Sequence, residues 1–164
     1  MNTKTIFFII LSLTVLSIFL TFIYFKIPTE EMVEEVSIKD LKENTSNFLR
    51  NITTYFYVVS VRPRPDPEKW LLEEYYIVTI RDNFGNQTDF VICSSLRTTY
   101  QQYVGEKAKF FLQGVHVPEI ITPFKRLITN ILIAEPVDPE DISLGYYMIK
   151  IYLIHNNTIT LCSV

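Results

Sequence analysis

Two cysteines, two histidines, a run of glutamates and two stretches that mix cations with aromatic rings are the places in this 164-residue chain where chemistry could reside. Cys93 and Cys162 could pair in an oxidising compartment, closing a loop of almost 70 residues and contributing about 4 kcal/mol in the chain-entropy picture. Two reduced, buried thiols acting as small hydrophobes fit the same spacing. His116 and His155 have neither a cysteine nor a carboxylate at ligand spacing, so they read as surface histidines and no metal or cofactor is expected. Glu30, Glu31, Glu34 and Glu35 read as a hydrated spacer rather than a cation site. With no Gly-rich phosphate loop, nucleophile elbow or paired zinc ligands, the pattern does not suggest an enzyme.

The remaining candidates are two cationic, aromatic stretches. One, "RPRPDPEKW" (Arg62 to Trp70), holds Arg62, Arg64, Lys69 and Trp70; the other, "HVPEIITPFKR" (His116 to Arg126), ends in Phe124, Lys125 and Arg126. Such mixtures can hold an acidic peptide, a glycan or a single nucleic-acid strand through charge and stacking. Alternatively, Trp70 and Phe124 plug the space beneath their loops while the cations are solvated.

What positions these residues begins with the amino-terminal segment. The 21 residues from Thr5 to Phe25 contain no charge, Pro or Gly, and as a helix they span roughly 30 Å, the thickness of a bilayer core. A cleaved signal peptide fits less well, because the apolar run is long and "YFKIPTEE" offers no small-residue cleavage site. The short flank with the α-amine and Lys4 is the cytoplasmic one by charge, which puts the rest of the chain outside. N-glycosylation sequons at Asn44, Asn51, Asn86 and Asn156 agree with that orientation. Two of the 15 basic residues, Lys4 and Lys26, flank the segment, leaving 13 against 18 acidic ones in residues 27–164. A net charge of −5 disfavours phosphate backbones, so nucleic acid is not the expected partner. The expected partners are the bilayer, through Thr5 to Phe25, and a protein or glycan at the outer face.

Beyond the segment the pattern is mainly β. Val36 to Leu49 offers Ser37 as a helix cap and a short helix. Thr54 to Val61 is β-branched and aromatic, a strand, whereas the prolines at alternate positions after Arg62 require a loop. In the next hairpin Tyr76, Val78 and Ile80 share one face, Thr88, Phe90 and Ile92 another, and Asp82-Asn83-Phe84-Gly85 is the turn. A short helix within Ser94 to Lys107, a strand over Lys107 to Val117 and a fifth over Thr129 to Val137 follow. Tyr146 to Val164 reads as an additional hairpin around His155-Asn156-Asn157, either an edge extension or a pairing surface.

Five strands with a helix between the third and fourth resemble the OB-fold, a Greek-key barrel. The motifs that carry the resemblance are Ser37-Ile38-Lys39-Asp40-Leu41, "VTIRDNFGN", "VGEKAKFFLQGV" and "ILIAEPV", between Val36 and Val137. The resemblance implies a ligand face on strands two and three bordered by the loops that hold Arg62, Arg64, Trp70, Phe124, Lys125 and Arg126. In "TIRDNFGN", "VGEKAKFFLQGV" and "ILIAEPVDPED" the chain also resembles the membrane-anchored haem chaperones of cytochrome c maturation. That family attaches haem through a His just after the last barrel strand, and Glu135 to Asp141 contains none. The expected organisation is a cytoplasmic tip and signal anchor over 1–26, an acidic stalk over 27–36, an OB-like barrel over 37–137 and a hairpin extension over 138–164. The expected function is an anchored, extracytoplasmic binding or assembly module. An exported haem-type carrier and an anchored single-strand nucleic-acid binder are the alternatives.

Overall fold

The computed structural model describes residues 33–65, 75–118 and 129–162. Thr5 to Phe25, Glu30 and Glu31 lie outside the described residues, among which no helix is long and apolar enough to cross a membrane. Residues 33–164 form one compact unit, built on a curled antiparallel sheet that makes half of a barrel.

The unit opens with α1 (Ile38–Glu43), capped by Ser37, whose hydroxyl accepts the Lys39 N–H at 3.2 Å. Ile38 and Leu41 turn one face of α1 into the core at 1% and 0% exposure. A 3-10 turn leads to β1 (Asn51–Pro63), then β2 (Tyr75–Arg81) and β3 (Gln87–Cys93). A second 3-10 turn and α2 (Arg97–Gln101) precede β4 (Lys107–Val117), β5 (Ile131–Pro136), β6 (Tyr146–His155) and β7 (Thr158–Ile159). The sheet order is β3-β2-β1-β4-β6-β5, with β7 paired to β6. The core comes from alternate residues of these strands, among them Phe56, Val78, Ile92, Phe110 and Ile151. Tyr100 of α2 inserts between Phe90 and Phe110, at ring-centroid distances of 5.9 and 6.4 Å.

Three expectations change. First, β1 continues through Arg62 and Pro63, where a loop was expected. Arg64 N–H donates across to the Tyr75 carbonyl, so the nitrogen of Pro63 points to the opposite side, and β4 pairs only with Asn51 to Tyr57. A proline is tolerated where no ladder bond is needed. Second, the end of the expected stalk is docked. Val33 bridges Thr53, Glu34 N–H donates to the Thr53 carbonyl, and Val36 is 4% exposed. Arg50 neutralises Glu34 at 2.7 Å, so this part of the acidic run is built into the unit.

Third, Tyr146 to His155 is not an appended hairpin arm. It is an interior strand, paired to β4 from Phe110↔Leu153 to Val117↔Tyr146 and to β5 on its other side. Alternate burial of Ile149, Ile151 and Leu153 makes it part of the core. The turn beyond it is at Asn156-Asn157, both with positive φ (49° and 59°), as a two-residue hairpin requires.

Candidate functional site

Of the loop residues expected to bind, Trp70, Phe124, Lys125 and Arg126 lie outside the described residues, as does Lys69. Arg62 projects from β1 and pairs with Asp89 of β3 at 2.6 Å, and the other Asp89 oxygen accepts the Thr79 hydroxyl at 2.6 Å. This pair is about half exposed (54% and 46%), so its contribution to stability is within about 1 kcal/mol. Arg64 follows it at the strand end. The structure thus places Arg62 and Arg64 together at one end of β1.

A second cationic and aromatic group lies on the outward face of the sheet. Directly opposed residues of antiparallel strands share a face, so the register defines its rows. Arg81, Tyr57 and Lys107 form the first across β2, β1 and β4; Tyr55 and Lys109 form the next. Thr53, Phe111 and Tyr152 follow, and Asn51, Gln113 and Lys150 complete the face out to β6. The Arg81 guanidinium sits 5.3 Å from the Tyr57 ring centroid, and the Lys107 ammonium lies 5.7 and 5.8 Å from Tyr57 and Tyr55. Phe111 and Tyr152 stack at 6.4 Å, and partial burial raises the Tyr152 phenol above its ordinary pKa. Four cations and four rings share these rows, and no Asp or Glu stands in any of them. Tyr55 and the neighbouring Val59, at the β1 bulge, are 39% and 37% exposed.

The support beneath this face is a clasp centred on Asp82. Its carboxylate is 2% exposed and accepts the N–H groups of Ile38 (2.8 Å), Phe84 (2.9 Å) and Asn86 (2.8 Å) and the Asn86 side-chain amide (2.8 Å). Burial alone would raise its pKa, but these hydrogen bonds outweigh burial and hold it below the usual aspartate value. The Asp-Asn-Phe-Gly turn is therefore also the joint that ties α1 to the β2–β3 hairpin. The Asn86 amide is used up in this joint, its second contact being the Ser37 hydroxyl at 3.4 Å. Asn44, Asn51 and Asn156 are exposed.

The open side of the half-barrel is tied at one end. Asn130, 4% exposed and at φ 61°, donates its N–H to the Val91 carbonyl of β3 at 2.7 Å. Its carbonyl accepts the Ile151 N–H, and its amide donates to the Ile151 carbonyl at 3.0 Å. Beside it Cys93 and Cys162 are joined in a disulfide with Cα atoms 5.8 Å apart. The histidines serve local contacts. His116 Nε2 faces the Leu144 carbonyl at 3.0 Å, and His155 Nδ1 meets the Tyr103 hydroxyl at 2.9 Å. Among the described residues no cluster of three or more His, Cys, Asp or Glu could hold a metal ion.

The alternation of Tyr55 and Tyr57 with buried neighbours, and of Lys107, Lys109 and Phe111 with Ala108 and Phe110, is the sequence signal of this outward face, separate from the cationic loops. Comparison with known proteins matches the chain to no family model, no curated protein and no solved structure.

Proposed function

We propose that the chain is a single-pass, membrane-anchored binding or assembly module that presents its β domain outside the cytoplasm. The observation that carries the binding half is the outward face of β1, β2, β4 and β6, where Arg81, Lys107, Lys109 and Lys150 alternate with Tyr55, Tyr57, Phe111 and Tyr152 without a carboxylate in the rows. Buried ion pairs and core packing do not require such a face. It suits an anionic partner. Anchoring rests on the uncharged run from Thr5 to Phe25.

The finer fold reading is an elaborated OB barrel. Supporting it are the β1-β2-β3 meander, β4 on the other side of β1, and α2 between β3 and β4. The bond from Asn130 N–H to Val91, which draws the start of β5 toward β3, supports it too. The domain departs from the five-stranded plan in having β6 between β4 and β5.

Topology is the direct test. The chain should stay with membranes through carbonate extraction, retain residues 1–26 at its mature amino terminus, and lose a carboxyl-terminal epitope to protease added to intact cells. A mature amino terminus near Ile27, or an epitope that external protease cannot reach, would overturn the reading.

A further inference from the structure

We propose that the Tyr, Lys and Arg face of β1, β2, β4 and β6 docks on the phosphate-bearing headgroups of anionic lipids in the membrane that holds residues 5–25. The inference rests on the anchored reading above and adds to it what the face touches.

Three observations converge on a lipid surface. Charge complementarity is the first: Arg81, Lys107, Lys109 and Lys150 stand in rows without Asp or Glu, and Asp89, one row along β3 from that of Arg81, is paired with Arg62. The second is the kind of aromatic residue. Tyrosine combines an apolar ring with a polar tip, and with Lys and Arg it is favoured at the boundary between headgroups and acyl chains. Here Tyr55, Tyr57 and Tyr152 stand among the cations, and Tyr55 is 39% exposed. The third is tether length. Residues 26–33 reach at most about 29 Å when fully extended, and Val33 meets the sheet at Thr53, two residues from Tyr55 on the same strand. A face held within that reach of a bilayer meets headgroups at high effective concentration, so weak attraction at each cation is enough to hold it there. The face belongs to the outer side of a curled sheet, and a broad headgroup layer can meet such a surface without a binding cleft.

The test uses the full chain in nanodiscs of phosphatidylcholine alone or of phosphatidylcholine with phosphatidylglycerol. An amine-acylating reagent is added and each lysine is followed by mass spectrometry. Lys107, Lys109 and Lys150 should be acylated severalfold more slowly in the anionic discs, with the protection lost at high salt. Lys39 and Lys42 on α1 should react equally in both. Arg81→Gln should weaken the protection of Lys107 across the Tyr57 ring. Equal rates at the three lysines in both discs overturn the proposal. So does protection by an added oligonucleotide or anionic polysaccharide when anionic lipid gives none, which assigns the face to a soluble polyanion. Failure of the chain to remain in either disc overturns the anchored reading, and it is read from disc purification before any labelling.

Discussion

Asp82 is one carboxylate serving four donors from two parts of the chain. Asp82→Ala would leave the Ile38, Phe84 and Asn86 N–H groups without their acceptor, and a loss of about 3 kcal/mol or more in urea unfolding is expected. The same site sets an acid limit. Because the folded pKa lies below the unfolded value of about 3.9, the contribution of Asp82 is complete above that pH and is lost as pH falls through the folded pKa. Acid unfolding should therefore begin below about pH 4, and the Asp82→Ala protein should show a flatter dependence there. Tyr100 is the opposite case. Among the described residues no hydrogen bond of ordinary geometry reaches its buried hydroxyl, although the Leu153 carbonyl and the Thr160 hydroxyl lie in its direction, and burial raises its pKa. Tyr100→Phe keeps the ring between Phe90 and Phe110 and removes an unpaired polar atom, so its stability should stay within about 1 kcal/mol of the parent or rise.

At the level of elements, β4 is the strand on which the others depend, since it pairs with both β1 and β6. Gly114 lies where the chain entering β1 passes closest. A Cβ there would fall on the Phe48 carbonyl and within 2.6 Å of the Leu49 Cα, both main-chain atoms that cannot rotate away. Gly114→Ala should cost about 2 kcal/mol or more in thermal or urea unfolding, as overpacking against backbone does. The β2–β3 hairpin was legible in the sequence because its alternation and its turn are local, and Tyr76, Val78, Ile80, Phe90 and Ile92 are buried as the pattern requires. The neighbours of β6 were not legible. Its alternation identifies a strand, but whether that strand lies at an edge or between two others depends on pairings about 30 to 45 residues away, which no local pattern records. Proline spacing misled for a related reason: the nitrogen of Pro63 faces a side where no described strand pairs with it, a fact of tertiary placement. The outward face was written in the alternation of β1 and β4, and it emerges as one surface only when the register sets Tyr57 between Arg81 and Lys107.

Across the whole molecule, the disulfide and the late strand bind the end of the domain to its middle. Cys162 is covalently joined to Cys93 across 69 positions, and Thr160 N–H donates to the Leu153 carbonyl, so the tail is held against β6. Truncation after Gly145 tests the architecture. An appended hairpin would leave a folded barrel behind, whereas an interior β6 predicts a chain without cooperative unfolding and open to protease throughout, because without it β4 keeps only its ladder with β1 and β5 has no partner among the described strands. The position of β6 has a consequence in time as well. Strands reach a folding chain in the order of synthesis, but β5 is made before β6 and, among the described strands, pairs only with it, on the side away from β4. The earlier strands must wait, with the β4 edge uncovered and Leu112 lacking its partner Ile151, until the last long strand arrives. Such nonlocal closure makes for slow folding and a sticky intermediate, so a chain emerging stepwise is exposed to aggregation until nearly all of the domain has been released.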